Sequence, residues 1–353
     1  MKIKLAILDQ DINYLNRIVA VFSTKYADKL EVYSFTDVDM ALATIDSARV
    51  DVFLADERYE IPAKQLPSRC GFAYFVEDLG LESFRGQAAV CKYQRADLIY
   101  NHVLNLYSEK AEGVSAGGGN GDAKVIWFCS AGGGCGSSTM AASAAIVFAK
   151  EGKRALYLNL DVFGDAGCYF DGVGQFDFSD VIYAVKSKKS TVGMKLESAL
   201  RQDMATGVYF YAATQLALDM TELNHEDVQL LVSTLQKSGL FDVIVLDRQF
   251  DLDAVSRYLW GAVHSVVAVN DGSEIGNNKF VKAYQAMKVL SEQNDVHRLD
   301  KLQLLYNKFS NKTGQTLEGL DITMLGGIPR YEHASVAQIV QQVSGMGIFK
   351  RLL

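Results

Sequence analysis

The residues most suited to chemistry lie in one short run, Gly132, Gly133, Gly134, Cys135, Gly136, Ser137, Ser138 and Thr139. Glycines let the chain curl with successive N–H groups pointing inward, and a helix opening near Ser137 adds unpaired donors and the positive end of its dipole. Such a turn suits phosphate oxygens, with Ser138 placed to offer its hydroxyl to Mg²⁺. The same turn also serves close packing of a helix on a sheet. It lacks the GxGxxG spacing of a dinucleotide site, and Ser137 stands where a regular phosphate loop carries the lysine for the β- and γ-phosphates.

Two carboxylates accompany the turn: Asp161 closes YLNL, and Asp247 closes FDVIVLD. In an α/β nucleotide site an acid at the end of the second strand can order an attacking water, while one on a later strand holds a Mg²⁺-bound water. A strand-end Asp also serves simple turn formation. Asn307 follows LQLLY, where its amide could read a purine edge or open a turn. Pro329 and Arg330 follow LGGI, where a rigid turn could pack against a base or end the strand. Nearer the N-terminus, Asp9, Asp11 and Asp56 fall at the ends of the first and third strands and Lys92 at the end of the fifth. That grouping suits a divalent metal and phosphorylation of Asp56, or consists of solvated loop charges. Gln10 adds no charge where a second adjacent acid would strengthen metal binding.

The elements that must position these groups come in two sets. KLAILD, EVYSF, DVFLAD, FAYFV and QAAVCK are strand-like runs, and INYLNRIVAVFSTKYA between two of them has helical spacing. They predict a small open α/β domain over residues 1–107. EKAEGVSAGGGNGD replaces apolar periodicity with glycine and charge, so residues 108–122 read as a flexible linker. From 123 to 353, AKVIWFCS, RALYLNL, GVYFYAA, FDVIVLD, HSVVAVN, KLQLLYNKF and ITMLGGI repeat the alternation with continuous apolar runs. These suit a mainly parallel sheet covered on both faces, with ligand loops at its carboxyl edge.

The chain has 353 residues, 49% hydrophobic and 22% charged, enough apolar material for two cores. A net charge of -7 offers no general attraction to nucleic acid or an anionic membrane, so the expectation is against a nucleic-acid partner. The five cysteines form no close pair, and the chain opens on a charged strand, which fits a reducing cytoplasm. No apolar run reaches the roughly 18 residues of a membrane span. The C-terminal stretch 345–353, with Ile348, Phe349, Leu352 and Leu353 beside Lys350 and Arg351, reads as a weak peripheral membrane contact or as an ordinary basic helix end.

Residues 123–353 resemble the ParA/MinD family of deviant phosphate-loop ATPases. That family's KGGxGK[ST][ST] aligns with GGGCGSST at 132–139, LYLNLD carries Asp161 in the catalytic place, and FDVIVLD carries Asp247 in the metal-organising place. YAATQLALDMTEL resembles the segment after the third strand, and Asn307 with GGIPR, which ends in Pro329 and Arg330, resembles the adenine-contacting region. The resemblance implies ATP and Mg²⁺ as cofactors and a homodimer. Gly132 replaces the signature lysine and Ser137 the ordinary one, so ATP binding with slow or absent hydrolysis is expected. A cation from elsewhere, such as Lys279 or Arg330, could take their place.

Residues 1–107 resemble a response-regulator receiver, with Asp56 as candidate phosphoacceptor, Lys92 as switch lysine and Asp9 in the acid pocket. Gln10 and Tyr93 depart from the pattern. A receiver followed by a ParA/MinD-like domain resembles the TadZ/CpaE proteins of tight-adherence (Tad/Flp) pilus assembly. This implies a cytoplasmic dimer that marks the site, often a cell pole, where pilus and secretion machinery assembles. The alternative is an active MinD/ParA-type ATPase in spatial positioning or DNA segregation.

Overall fold

The computed structural model describes residues 2–62, 66–110, 122–188, 192–293, 299–310 and 314–353. The chain forms two compact units, Met1–Ala116 with Ser187–Ala199, and Gly117–Lys186 with Leu200–Leu353.

The first unit contains β1 (Ile3–Leu8), α1 (Ile12–Lys25), β2 (Leu30–Phe35), α2 (Val38–Ser47), β3 (Val52–Asp56), β4 (Gly71–Val76), β5 (Ser83–Phe84), β6 (Gln87–Cys91) and α3 (Ala96–Lys110). Its sheet runs β2-β1-β3-β4-β6-β5, parallel except for the short β5 at the edge. The five-strand parallel order is that of flavodoxin-like domains, with the switch point between β1 and β3. β3 and β4 are buried at every position, as strands covered on both faces must be. Leu15, Ile18 and Phe22 of α1 with Ile99 and Val103 of α3 pack into one core layer. Ala41 and Ile45 of α2 pack into the other. Among the described residues no α-helix joins β3 to β4 or β4 to β6. α3 continues through Lys110 into the segment expected to be a linker; residues 111–121 of that segment lie outside the described residues.

The second unit opens with β7 (Lys124–Cys129), α4 (Ser137–Lys150), β8 (Ala155–Asn159) and α5 (Phe178–Ser187). The next helix, α6 (Val192–Ser198), falls in the stretch that groups with the first unit. β9 (Arg201–Gln202), β10 (Tyr209–Phe210), α7 (His225–Lys237), β11 (Val243–Asp247), α8 (Ala254–Ala262) and β12 (Ser265–Asn270) follow. α9 (Glu274–Gln293), β13 (Leu302–Phe309), β14 (Thr323–Pro329) and α10 (Val336–Gly345) complete it. The sheet order is β14-β13-β12-β7-β11-β8-β10-β9, with only β9 antiparallel.

From β7 the chain moves to β8 on one side and later to β12 on the other, so the loop after β7 lies at the switch point. α4 is buried from Met140 to Phe148, which explains its alanine-rich sequence: small side chains let it lie close to the sheet beneath α10. The C-terminal turn Ile348–Leu352 closes this core. Phe349 is fully buried against Phe128, ring centroids 5.7 Å apart, and Leu352 is buried beside them. The membrane reading of 345–353 is thereby corrected, since Phe349 and Leu352 are already committed to the core.

Candidate functional site

The glycine-rich turn links β7 to α4 directly. Gly134 and Gly136 adopt left-handed φ values of 79° and 84°, and Gly136 begins the helix with no side-chain cap. The first N–H groups of α4 are therefore left for a ligand. A Cβ on Gly136 would lie 2.5 Å from Asn307 Nδ2, so glycine is required for the close approach as well as for the φ. Asn307, buried at the end of β13, donates from Nδ2 to Cys135 O at 2.7 Å. One N–H of its amide thus ties β13 to the turn. Ser130 Oγ and Cys135 Sγ both donate to Gly132 O, at 2.8 and 3.2 Å.

The register of the sheet brings the carboxylates to this turn. Asp247 pairs across β11 with Phe128 on one side and Asn159 on the other, so it ends level with the loop. It is fully buried. Its Oδ2 accepts from the Tyr157 hydroxyl at 2.6 Å and Asn159 Nδ2 at 3.3 Å, while Oδ1 has no hydrogen-bond partner among the described residues. Burial pushes its carboxyl up to about 7; the Tyr157 hydroxyl opposes this, Asp161 adds to it, and the Ser138 side chain opposes it. A buried, unpartnered carboxylate oxygen beside a hydroxyl at a helix N-terminus fits a bound cation, which would supply the missing partner and favour the ionised form. Asp161 is placed by its neighbours: its N–H donates to Asn159 Oδ1 at 2.9 Å and its Oδ1 accepts from Gln249 N–H at 2.8 Å. A cavity of about 590 Å³ opens beside these groups, lined by Ser138, Asn159, Asp161, Tyr169 and Arg248 among others.

Tyr157 and Asn159 were not singled out from sequence. Their signal was a polar residue at every second position of β8, which places both on the face that carries Asp247. Trp127 likewise supports the site, donating from Nε1 to Arg248 O at 2.8 Å. Gly133, Ser137 and Thr139 lie within the turn and first helical residues; Thr139 Oγ1 stands 3.5 Å from the Tyr169 hydroxyl. Pro329 pairs with Phe309 at the exposed end of β14, and Arg330 beyond it makes no hydrogen bond or ion pair among the described residues.

In the first unit Asp9, Asp56 and Lys92 come together as the sequence spacing suggests. Lys92 is fully buried, its ammonium paired with Asp56 and, at 2.8 Å, with Asp9. Asp11 serves elsewhere, capping α1 by accepting from the N–H groups of Asn13 and Tyr14. Arg58 was not anticipated, and it dominates the mouth of the pocket. Its Nε and Nη2 donate to the two oxygens of Asp56 at 2.7 and 3.0 Å. Burial alone would raise the Asp56 carboxyl, but Arg58 and Lys92 outweigh it and hold the group down at about 2. All five cysteines are free. Among the described residues no cluster of metal-ligating His, Cys, Asp and Glu side chains was found, so neither carboxylate site is a self-sufficient protein cage.

Residues 1–108 match a family model described as TadZ-like, receiver domain. Among solved structures, a ParA family ATPase from Chlorobium tepidum TLS matches with 18% identity over 65% of this chain and 95% of its own, at a TM-score of 0.51. The MinC:MinD cell division protein complex from Aquifex aeolicus matches with 17% identity over 65% of this chain and 96% of that one, at a TM-score of 0.50. The chain joins a TadZ-like receiver domain to a domain with the ParA/MinD ATPase fold. No curated protein matches it in sequence.

A plasmid partition protein from Borrelia burgdorferi also aligns, with 17% identity over 66% of this chain and 100% of its own at a TM-score of 0.49. The expectation against a nucleic-acid partner is corrected, because it rested on net charge alone. Its physical weakness is that net charge averages over the whole surface, whereas phosphate contacts depend on a local patch. Among the described residues no helix is long and apolar enough to cross a membrane.

Proposed function

We propose that the second unit binds ATP with Mg²⁺ at the turn 132–139, and that the chain acts as a nucleotide-dependent positioning protein of the ParA/MinD kind. The observation that carries this reading is the buried Asp247, whose Oδ1 lacks a partner beside Ser138 and the uncapped start of α4. Mg²⁺, held by Ser138 and Asp247, would supply positive charge that offsets the carboxylate and the phosphate groups. The chain's own groups do the rest. The turn's N–H groups hold phosphate, Ser138 and Asp247 hold the metal's coordination shell, and Asn159 fixes Asp161 at the cavity where a water would be oriented. Neither loop position has a lysine, so turnover is expected below about 1 per second, the low end of ordinary enzymes. Equilibrium titration of the full chain with Mg²⁺-ATP tests the proposal: saturable association is expected, and its absence would sink it.

A finer reading places this activity in tight-adherence pilus assembly, as a homodimer marking a cell pole. It is supported by the TadZ-like match of residues 1–108. The broader reading, spatial positioning that extends to DNA segregation, is supported by the fold of the second unit. The two separate by partner: recovery of pilus secretion components supports the first, and salt-sensitive DNA binding supports the second. The clamped Asp56 favours a receiver that serves protein contacts without phosphorylation.

A further inference from the structure

We infer that Lys279 and Lys308 stand in for the two lysines missing from the glycine-rich turn and contact the phosphate groups of its nucleotide. This rests on the nucleotide reading above and deepens it by naming the cations that recognise the triphosphate.

The argument begins with the space left by Gly132. A Cβ at that position would lie 3.2 Å from Lys279 Cδ and 3.7 Å from its Nζ. The volume that a side chain at 132 would enter is therefore crossed by a lysine from α9. Lys308 approaches the other side of the turn. Its Nζ donates to Gly134 O at 2.7 Å, and its Cε lies 3.8 Å from the place a Cβ on Gly136 would take. Lys308 adopts a left-handed φ of 57°, uncommon for a residue with a side chain, and follows Asn307, which is bonded to Cys135 O. The end of β13 is thus fixed in the conformation that carries the ammonium over the loop.

Both charges reach the turn electrostatically. Burial raises the Cys135 thiol and Asp271 adds to the rise, while Lys308 and Lys279 each act in the opposite direction. Among the described residues neither lysine pairs with a carboxylate. Among the described residues Lys308 uses one of its three ammonium donors on Gly134 O and Lys279 uses none, so both retain donors for an anion. Each is exposed on the surface, where an uncompensated ammonium carries little desolvation cost until a ligand arrives. Two ammonium groups converging on a turn of inward-facing N–H groups make a site for a highly charged anion, and a polyphosphate has the charge and the length to meet both. A Cβ at Gly132 would press on Lys279 by a few tenths of an ångström, so glycine at that position leaves this lysine its place beside the turn.

Binding of ATP, ADP and AMP to the full chain tests this, measured at equilibrium with Mg²⁺ for the natural chain and for Lys279→Gln, Lys308→Gln and the double variant. Each single change is expected to weaken ATP binding about tenfold, as loss of one charge-assisted contact does, with the double variant weaker still. AMP binding should change by less than about twofold, because the β- and γ-phosphates that the lysines address are absent. Adding Ser137→Lys to the double variant should recover ATP affinity by restoring a cation from within the loop. Thermal unfolding of the nucleotide-free variants reports their folding independently. Folded variants that bind ATP as tightly as the natural chain overturn the inference and leave the nucleotide site standing. Equal losses for ATP and AMP overturn it too, by assigning the lysines to the shape of the loop. If the natural chain binds none of the three, the nucleotide reading itself fails.

Discussion

Asp247 holds a position that an acid occupies at a cost, and that cost is measurable. Its folded carboxyl keeps its proton up to about 7, while an unfolded one releases it near 4, so the native chain holds more protons across that window. Stability contributed by this group therefore falls as pH rises from about 4 to about 7 and is fully lost above it. Asp247→Asn removes the dependence. Unfolding of the nucleotide-free chain at pH 5 and pH 8 is expected to show the natural protein losing on the order of a few kcal/mol relative to the variant. Parallel responses of the two proteins would contradict the assignment. Asp56 shows the opposite electrostatics, since Arg58 and Lys92 keep it ionised and occupied. Incubation with acetyl phosphate and Mg²⁺ is expected to leave the intact mass unchanged, while Arg58→Ala exposes Asp56 to the phosphodonor. A phosphorylated natural chain would show that the clamp opens. At this scale the sequence made Asp247, Asp161 and Ser138 legible because each sits at a strand end or helix start. Arg58 and Lys308 stayed hidden because their roles depend on side-chain reach, which spacing does not encode.

Elements set these groups in place, and their sequence signals differ in strength. Continuous apolar runs announced β3, β4, β7, β11 and β12, all central strands buried on both faces. The edge strands β5 and β9, two residues each, are too short to carry a period. The grouping of α6 with the first unit is a long-range outcome that local pattern does not contain. The C-terminal turn is the most informative case, because its alternation of apolar and basic residues is the same for a surface-lying segment and for a core plug. The buried Phe349 decides between them. Phe349→Ala is expected to destabilise the second unit by about 3–5 kcal/mol, the usual cost of emptying a buried aromatic site. Denaturant unfolding measures it, and a loss below about 1 kcal/mol would return the segment to the surface.

For the molecule as a whole, composition spoke to size and solvent but poorly to partners. The apolar fraction supported two cores, and two compact units are present. A net charge of -7 argued against nucleic acid, but it averages over the whole surface and does not speak to a local basic patch. The proposed nucleotide site has its cation-binding half buried at Asp247 and a loop that lacks its own lysines. The most direct test compares ATP affinity of the natural chain and of Asp247→Asn, each with Mg²⁺ and with excess chelator. The natural chain is predicted to bind ATP at least about tenfold more tightly with Mg²⁺, and Asp247→Asn to lose that gain. Binding of equal strength with and without Mg²⁺, or a full Mg²⁺ effect in the variant, would contradict the account.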